Sequence, residues 1–203
     1  MRTAGLFFLG LFSTNVFAAV FDEMQVSGHC NHSNTQVIQN GNALSVVFDD
    51  LGADMPQGAE GDGRNVRKNC HFRIRLNAPR DQYLAGLRQV YSGGVIKSKG
   101  AVGALEFSYN LGPRVAAPAL VWKQGVEITP DSPDSLFTRV VDEAVAQPRG
   151  CSAQTTQYMV RISFSASRRN LQEYFVGGLD SYDAEFASKL DLVPTWKPCP
   201  RDR

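Results

Sequence analysis

The chain has 203 residues, 43% hydrophobic and 20% charged, with 21 Lys and Arg against 20 Asp and Glu. That apolar fraction supports a buried core and excludes a disordered chain, and a formal charge of +1 excludes a general polyanion binder of the histone kind. The longest apolar run, Ala4 to Phe12, is nine residues, about half the roughly 20 that a membrane helix needs.

The chain opens as a secretory signal peptide. Met1-Arg2-Thr3 is a short positive region, Ala4 to Phe12 an apolar one, and Val16-Phe17-Ala18 puts small residues where a signal peptidase cuts. The expected boundary lies after Ala18, with residues 19–203 forming a single domain. Its loss removes Arg2 and leaves the mature chain formally neutral. The expected location is periplasmic or secreted, with no transmembrane segment once the signal is gone.

Beyond the signal, period-two alternation dominates and helical periodicity is nearly absent. Asn40-Gly41-Asn42 stands between Val37-Ile38 and Leu44-Val46 and predicts a hairpin, since Asn and Gly tolerate the positive φ of a tight turn. Ala43 to Phe48 follows as a strand. The clearest alternation is Cys70-His71-Phe72-Arg73-Ile74-Arg75-Leu76-Asn77. Cys70, Phe72, Ile74 and Leu76 point one way, His71, Arg73, Arg75 and Asn77 the other. A helix would scatter both sets, so this is a half-buried strand with a wet, basic outer face.

Tyr83 to Tyr91, Ala104 to Tyr109, Ala119 to Trp122 and Leu136 to Val141 are further strand candidates. Tyr158 to Ser165 follows, with Tyr158, Val160, Ile162 and Phe164 inward, and then Lys189 to Leu192. Ser92-Gly93-Gly94, Lys99-Gly100, Leu111-Gly112-Pro113 and Thr129-Pro130-Asp131 read as turns between them. Val140 to Ala146 and Asn170 to Phe175 could each form a short helical turn. This pattern predicts an all-β fold, an antiparallel β-sandwich of the jelly-roll or immunoglobulin-like kind with long loops.

In an exported chain four cysteines read as disulfides. Cys30, Cys70, Cys151 and Cys199 contain no C-x-x-C pair. They allow three connectivities. Local pairing, Cys30 with Cys70 and Cys151 with Cys199, is the expected one, and each bridge would contribute about 4 kcal/mol through the unfolded state.

Phe48-Asp49-Asp50, a long loop, then Arg67-Lys68-Asn69-Cys70 leading into an alternating strand resembles a secreted family known only as domain-of-unknown-function family 4360. Trp196-Lys197-Pro198-Cys199 is similar to that family's terminal Trp-x-x-Cys, Cys30 after Gly28 to its first cysteine, and Cys151 to a third. Gly28-His29-Cys30-Asn31 departs from the Gly-Cys-Pro of many members. The resemblance implies a small extracellular, β-rich, disulfide-bonded protein with no assigned activity. It carries over no catalytic residue.

No motif specifies a reaction. There is no G-x-S-x-G elbow and no H-E-x-x-H helix, and no cofactor is expected. His29, His32 and His71 all lie within two residues of Cys30 or Cys70, so a bridge between those cysteines would gather three imidazoles, a candidate Zn²⁺ or Cu²⁺ site. Asp49, Asp50, Asp54, Glu60 and Asp62 form a second candidate cluster, for Ca²⁺. With Asp180, Asp183 and Glu185 these carboxylates could also serve a carbohydrate-active hydrolase.

Arginine marks another place. Arg73 and Arg75 share a face with His71 and Asn77, and guanidinium bonds sulfate, phosphate or uronate bidentately. The plainer alternative is a solvated face whose arginines pair with the acidic stretch Glu127 to Glu143. Trp122 and Trp196 both stand in apolar, strand-like contexts that suit core packing. The expected protein is therefore a non-catalytic binding module, its partner an anionic glycan, an envelope component, a cell-surface molecule or another protein. The hydrolase is the alternative.

Overall fold

In the computed structural model, the described residues are 20–58, 63–111, 115–145, 155–179 and 189–199, with side chains of 115–118 left aside. Among them run twelve strands: β1 (Phe21–Gly28), β2 (Thr35–Asn40), β3 (Ala43–Phe48), β4 (Gly52–Met55), β5 (Asn65–Asn77), β6 (Gln82–Lys97), β7 (Val102–Asn110), β8 (Val115–Trp122), β9 (Leu136–Ala144), β10 (Thr155–Ser167), β11 (Phe175–Gly178) and β12 (Lys189–Pro198). They form two antiparallel sheets. One has the order β1-β5-β10-β7-β8, the other β2-β3-β12-β6-β11-β4 with β9 also paired to β6.

The alternation read from the sequence is the reason the sheets can stack. Phe72, Ile74 and Leu76 of β5 and Tyr158, Val160, Ile162 and Phe164 of β10 are buried, as are Leu44, Val46 and Phe48 of β3 and Leu190 and Leu192 of β12. Aromatic contacts join the layers: Tyr91 of β6 meets Phe107 of β7 with ring centroids 3.8 Å apart, and Phe164 of β10 meets Phe175 of β11 at 6.0 Å. Trp122 is a core residue, packed on Phe137, Phe164 and Phe175. Trp196 packs against the core from β12, its indole Nε1 buried without a partner. The sandwich expectation holds, and both tryptophans serve packing.

The core also contains a polar cluster. Gln89, fully buried on β6, accepts hydrogen bonds at Oε1 from the hydroxyls of Tyr91 (2.7 Å) and Tyr158 (2.5 Å). Burial pushes both phenols above the ordinary tyrosine range. Tyr109 of β7 donates to Glu143 of β9 at 2.7 Å.

Several local expectations need correction. The hairpin forms, but Asn40 pairs with Ala43, so the two-residue loop is Gly41-Asn42, with Gly41 at φ 58°. Ser92-Gly93-Gly94 is not a turn: it lies inside β6, which continues to Lys97. Here the missing Cβ serves contact with neighbouring strands, as glycine in a strand interior often does. Gly94 pairs with Gly178 of β11, and a Cβ on Gly93 would stand 2.2 Å from the Gly178 carbonyl oxygen. Val140 to Ala144 belongs to β9 rather than to a helical turn. Asn170 to Phe175 is a plain turn, closed by Glu173 N–H to the Asn170 carbonyl (3.3 Å), with Phe175 opening β11.

One disulfide is described, Cys30–Cys70, with Cα atoms 5.2 Å apart and a sequence separation of 40. A loop of that length corresponds to about 4 kcal/mol of unfolded-state entropy. Of the second expected pair, Cys151 lies outside the described residues, and Cys199 is itself disulfide-bonded. Residues 1–18, Glu60, Asp62, Asp180, Asp183 and Glu185 also lie outside the described residues. Among the described residues no helix is long and apolar enough to cross a membrane.

A buried guanidinium knits one end of the sandwich. Arg168, 4% exposed, donates from Nε to the Gly63 carbonyl (2.8 Å) and from Nη1 to the carbonyls of Pro56 (2.6 Å) and Glu173 (3.1 Å). Beside it, Glu173 accepts from the Arg169 backbone N–H (2.7 Å) and pairs with the Arg169 guanidinium at 2.9 Å. The backbone bond first, opposed by burial and aided by the guanidinium, holds the Glu173 carboxyl below the usual carboxylate range. A carboxylate depressed in the folded state adds stability that is complete above its unfolded pKa and is lost as pH falls through its folded one. Glu173→Gln is therefore expected to be less stable than the parent at neutral pH. The gap should close on acidification, which denaturant unfolding at a series of pH values would read.

Candidate functional site

A concavity lies on the outer face of the five-stranded sheet. Successive side chains alternate across the sheet, and the register of four strands then lays the outward ones in rows. Ser27 of β1, His71 of β5, Arg161 of β10 and Ser108 of β7 form one row; Gln25, Arg73, Met159 and Asn110 form the next. These rows line a shallow groove of about 570 Å³.

Its chemistry is one-sided. No carboxylate is among the lining residues. Arg73 donates from Nη2 to Gln157 Oε1 at 2.8 Å, which fixes the guanidinium while leaving its other N–H groups available. Arg161 and His71, both exposed, have no hydrogen-bond or ion-pair partner among the described residues. Met159, 41% exposed, supplies an apolar floor between the two arginines.

Of the four residues singled out on β5, His71 and Arg73 line this groove. Arg75 does not: a bulge between Asp22 and Gln25 puts Glu23 at φ 47°, and the Glu23 carboxylate forms an ion pair with Arg75. Bulges commonly re-aim a side chain in this way. Asn77 lies at the strand's end, where its Oδ1 accepts from the Thr155 hydroxyl at 3.3 Å. The acidic stretch is not the arginines' partner. It lies in and before β9, in the opposite sheet, where Asp142 approaches Arg88 (4.0 Å), Glu143 takes Tyr109, and Glu127 accepts from Tyr174 at 3.4 Å.

The metal candidates separate. His29 Nδ1 accepts from the Asn69 backbone N–H at 3.1 Å, His32 sits in an exposed turn, and His71 faces the groove. Bridging Cys30 to Cys70 brings these segments together without gathering the imidazoles into a metal site: on β5 alternation sends His71 to the face opposite Cys70, and His29 is engaged by the Asn69 N–H. In the acidic loop, Asp50 pairs with Lys68 at 2.5 Å and Asp54 is a β4 residue. Among the described residues no three His, Cys, Asp or Glu side chains gather as a metal site.

A smaller concavity of about 310 Å³ is lined by Lys97, Trp122 and Phe137 and rimmed by exposed Val121, Val126 and Leu136. At its base Lys97 is fully buried, donating from Nζ to the carbonyls of Val126 (2.5 Å) and Ser98 (3.0 Å). Burial pushes its ammonium pKa down, partly offset by Glu127.

No protein-family model matches the chain, and no curated protein matches it. Among solved structures it is similar to carbohydrate-binding modules. TmCBM61 in complex with β-1,4-galactotriose has 13% identity, with 85% of this chain and 88% of that one covered, at a TM-score of 0.31. A CBM4 structure has 13% identity over 87% of each chain at 0.21. A module from Cellvibrio mixtus lichenase 5A, in complex with cellotriose, has 12% identity over 74% of this chain and 90% of that one, again at 0.21. At these values nothing about a ligand passes from those proteins to this chain.

The groove residues that sequence reasoning missed are Arg161, Met159, Ser108, Asn110, Gln25 and Ser27. Arg161 and Met159 were legible as outward residues of the alternating strand Tyr158 to Ser165. Their meeting with His71 and Arg73 was not, because it depends on the pairing of β5 with β10 across more than 80 residues of chain.

Proposed function

We propose that this protein is a non-catalytic binding module whose ligand lies across the outer face of the five-stranded sheet, and that the ligand is a glycan. The observation that carries this reading is the groove itself: an open trough lined by hydroxyl, amide, imidazole and guanidinium groups around one thioether. Sugar rings present vicinal hydroxyls along their edges and apolar C–H faces, and a polar trough with an apolar floor suits both. An open sheet face also accepts a chain that continues past both ends. Glycoside hydrolysis needs a pair of carboxyl groups flanking the scissile bond, and this groove has none among its lining residues, which favours binding over turnover. We propose also that the protein is exported and that it is related to the secreted domain-of-unknown-function family 4360.

Ser108→Trp tests it. Ser108 is exposed, so the indole fills the groove without entering the core. Glycan-array binding is expected to fall by about tenfold or more, as for a lost interface contact of about 1.4 kcal/mol. Thr138→Trp, on an exposed position of the opposite sheet, should leave it unchanged. Equal binding by both variants would remove the groove from consideration.

A further inference from the structure

We infer that the groove selects acidic sugars, with a ring carboxylate or sulfate held between Arg73 and Arg161; this rests on the glycan-binding reading above. Arg73 faces Met159 across the β5–β10 pair, and Arg161 lies two residues along β10 from Met159 on the same face. The two arginines are thus diagonal neighbours, a relation that spans about 7–8 Å at the backbone and lies within reach of long side chains. His71, directly opposite Arg161, adds a third nitrogen group to the same corner.

Neither guanidinium has a carboxylate partner among the described residues, a condition that Arg67 of β5 shares. On the same two strands and their neighbours, Lys68 has Asp50 and Arg75 has Glu23. The acidic side chain on the next row of the face, Glu106 opposite Ser163, forms no ion pair with Arg161. Two neighbouring guanidinium groups repel one another in the empty groove. An anion placed between them removes that repulsion and gains charge-assisted, bidentate hydrogen bonds, which are about twice as strong as neutral ones. Arg73 comes prepared, since its bond to Gln157 orients the fork and reduces the freedom lost on binding.

The flanking groups decide between classes of anion. Ser27, Gln25, Ser108 and Asn110 offer hydroxyl and amide groups on both sides of the arginines, with Met159 between. That is a set for ring hydroxyls and a C–H face around one acid group. A nucleic acid would call for a broad basic stripe, and the chain's formal charge is only +1.

The experiment is calorimetric titration of the full mature protein with three probes: trigalacturonate, its methyl ester, and a sulfated oligosaccharide. Acidic probes should bind at least about tenfold more tightly than the methyl ester, and more weakly at raised salt. Arg73→Ala and Arg161→Ala should each cost about tenfold or more. Arg161→Lys should restore only part of the affinity, because ammonium lacks the fork. Circular dichroism and melting should be unchanged, as both side chains are exposed. Equal binding of acid and ester, with both abolished by Ser108→Trp, would overturn the acid selection and leave the glycan reading intact. Failure of the unmutated protein to bind any probe or array glycan, acidic or neutral, would overturn both.

Discussion

Replacing Arg168 by Met is expected to cost about 4 kcal/mol of unfolding free energy. Three main-chain carbonyls, of Pro56, Gly63 and Glu173, accept hydrogen bonds from this one guanidinium. Hydrogen bonds to a charged group contribute roughly 1.5–3 kcal/mol each, and carbonyls left buried without a partner add a desolvation cost. Against this, Met returns the apolar burial of the side chain and removes the cost of burying a charge. The balance stays unfavourable because the acceptors come from separate segments that no other described side chain ties together in this way. Arg168→Lys should recover little, since a single ammonium cannot span the fork's directions. Guanidinium-chloride unfolding of the three proteins would measure it; a loss under about 1 kcal/mol for Met would show that the carbonyls find other partners.

Gly93→Ala is expected to cost about as much, through sterics rather than electrostatics. The added Cβ would stand 2.2 Å from the Gly178 carbonyl oxygen and 2.6 Å from Phe137 Cζ. The first is backbone, held in the β6–β11 ladder, and the second is a ring packed on Trp122. Neither is the free end of a flexible chain. Overpacking commonly costs about 1–3 kcal/mol, and more where backbone must shift. Gly177→Ala should be comparably harmful, for a different reason: φ there is 128°, and its Cβ would meet the Gly94 carbonyl oxygen at 2.2 Å. Gly58→Ala serves as the control, because nothing lies within 4 Å of its Cβ position; its φ of 73° still imposes a cost of about 1–2 kcal/mol. Gly93 is not at positive φ, so a loss there no larger than at Gly58 would show that crowding between the strands costs little.

These two cases separate what was readable in the chain from what was not. The inward sets Cys70, Phe72, Ile74, Leu76 and Tyr158, Val160, Ile162, Phe164 were legible because a strand's side-chain period is two and each set is hydrophobic, the Tyr158 hydroxyl apart. The same rule marked His71 and Arg73 as outward. Gly93 and Gly94 misled, since a glycine pair has the composition of a turn whether the chain reverses there or another strand presses close. β1, β4 and β11 escaped notice: β4 and β11 are four residues each, and the bulge in β1 interrupts its alternation. Arg168, at a strand's exit beside a second arginine, reads as ordinary solvent-facing charge until its carbonyl partners are seen.

The amino-acid order alone determined that this chain builds sheets with one dry and one wet face. Local periodicity and composition suffice for that, because each strand carries its own record of burial. Which strands lie side by side was decided only by the tertiary structure. Register sets Arg161 beside His71, brings Arg73 across from Met159, and turns Glu23 onto Arg75. Those meetings join residues dozens of positions apart, so no local pattern encodes them.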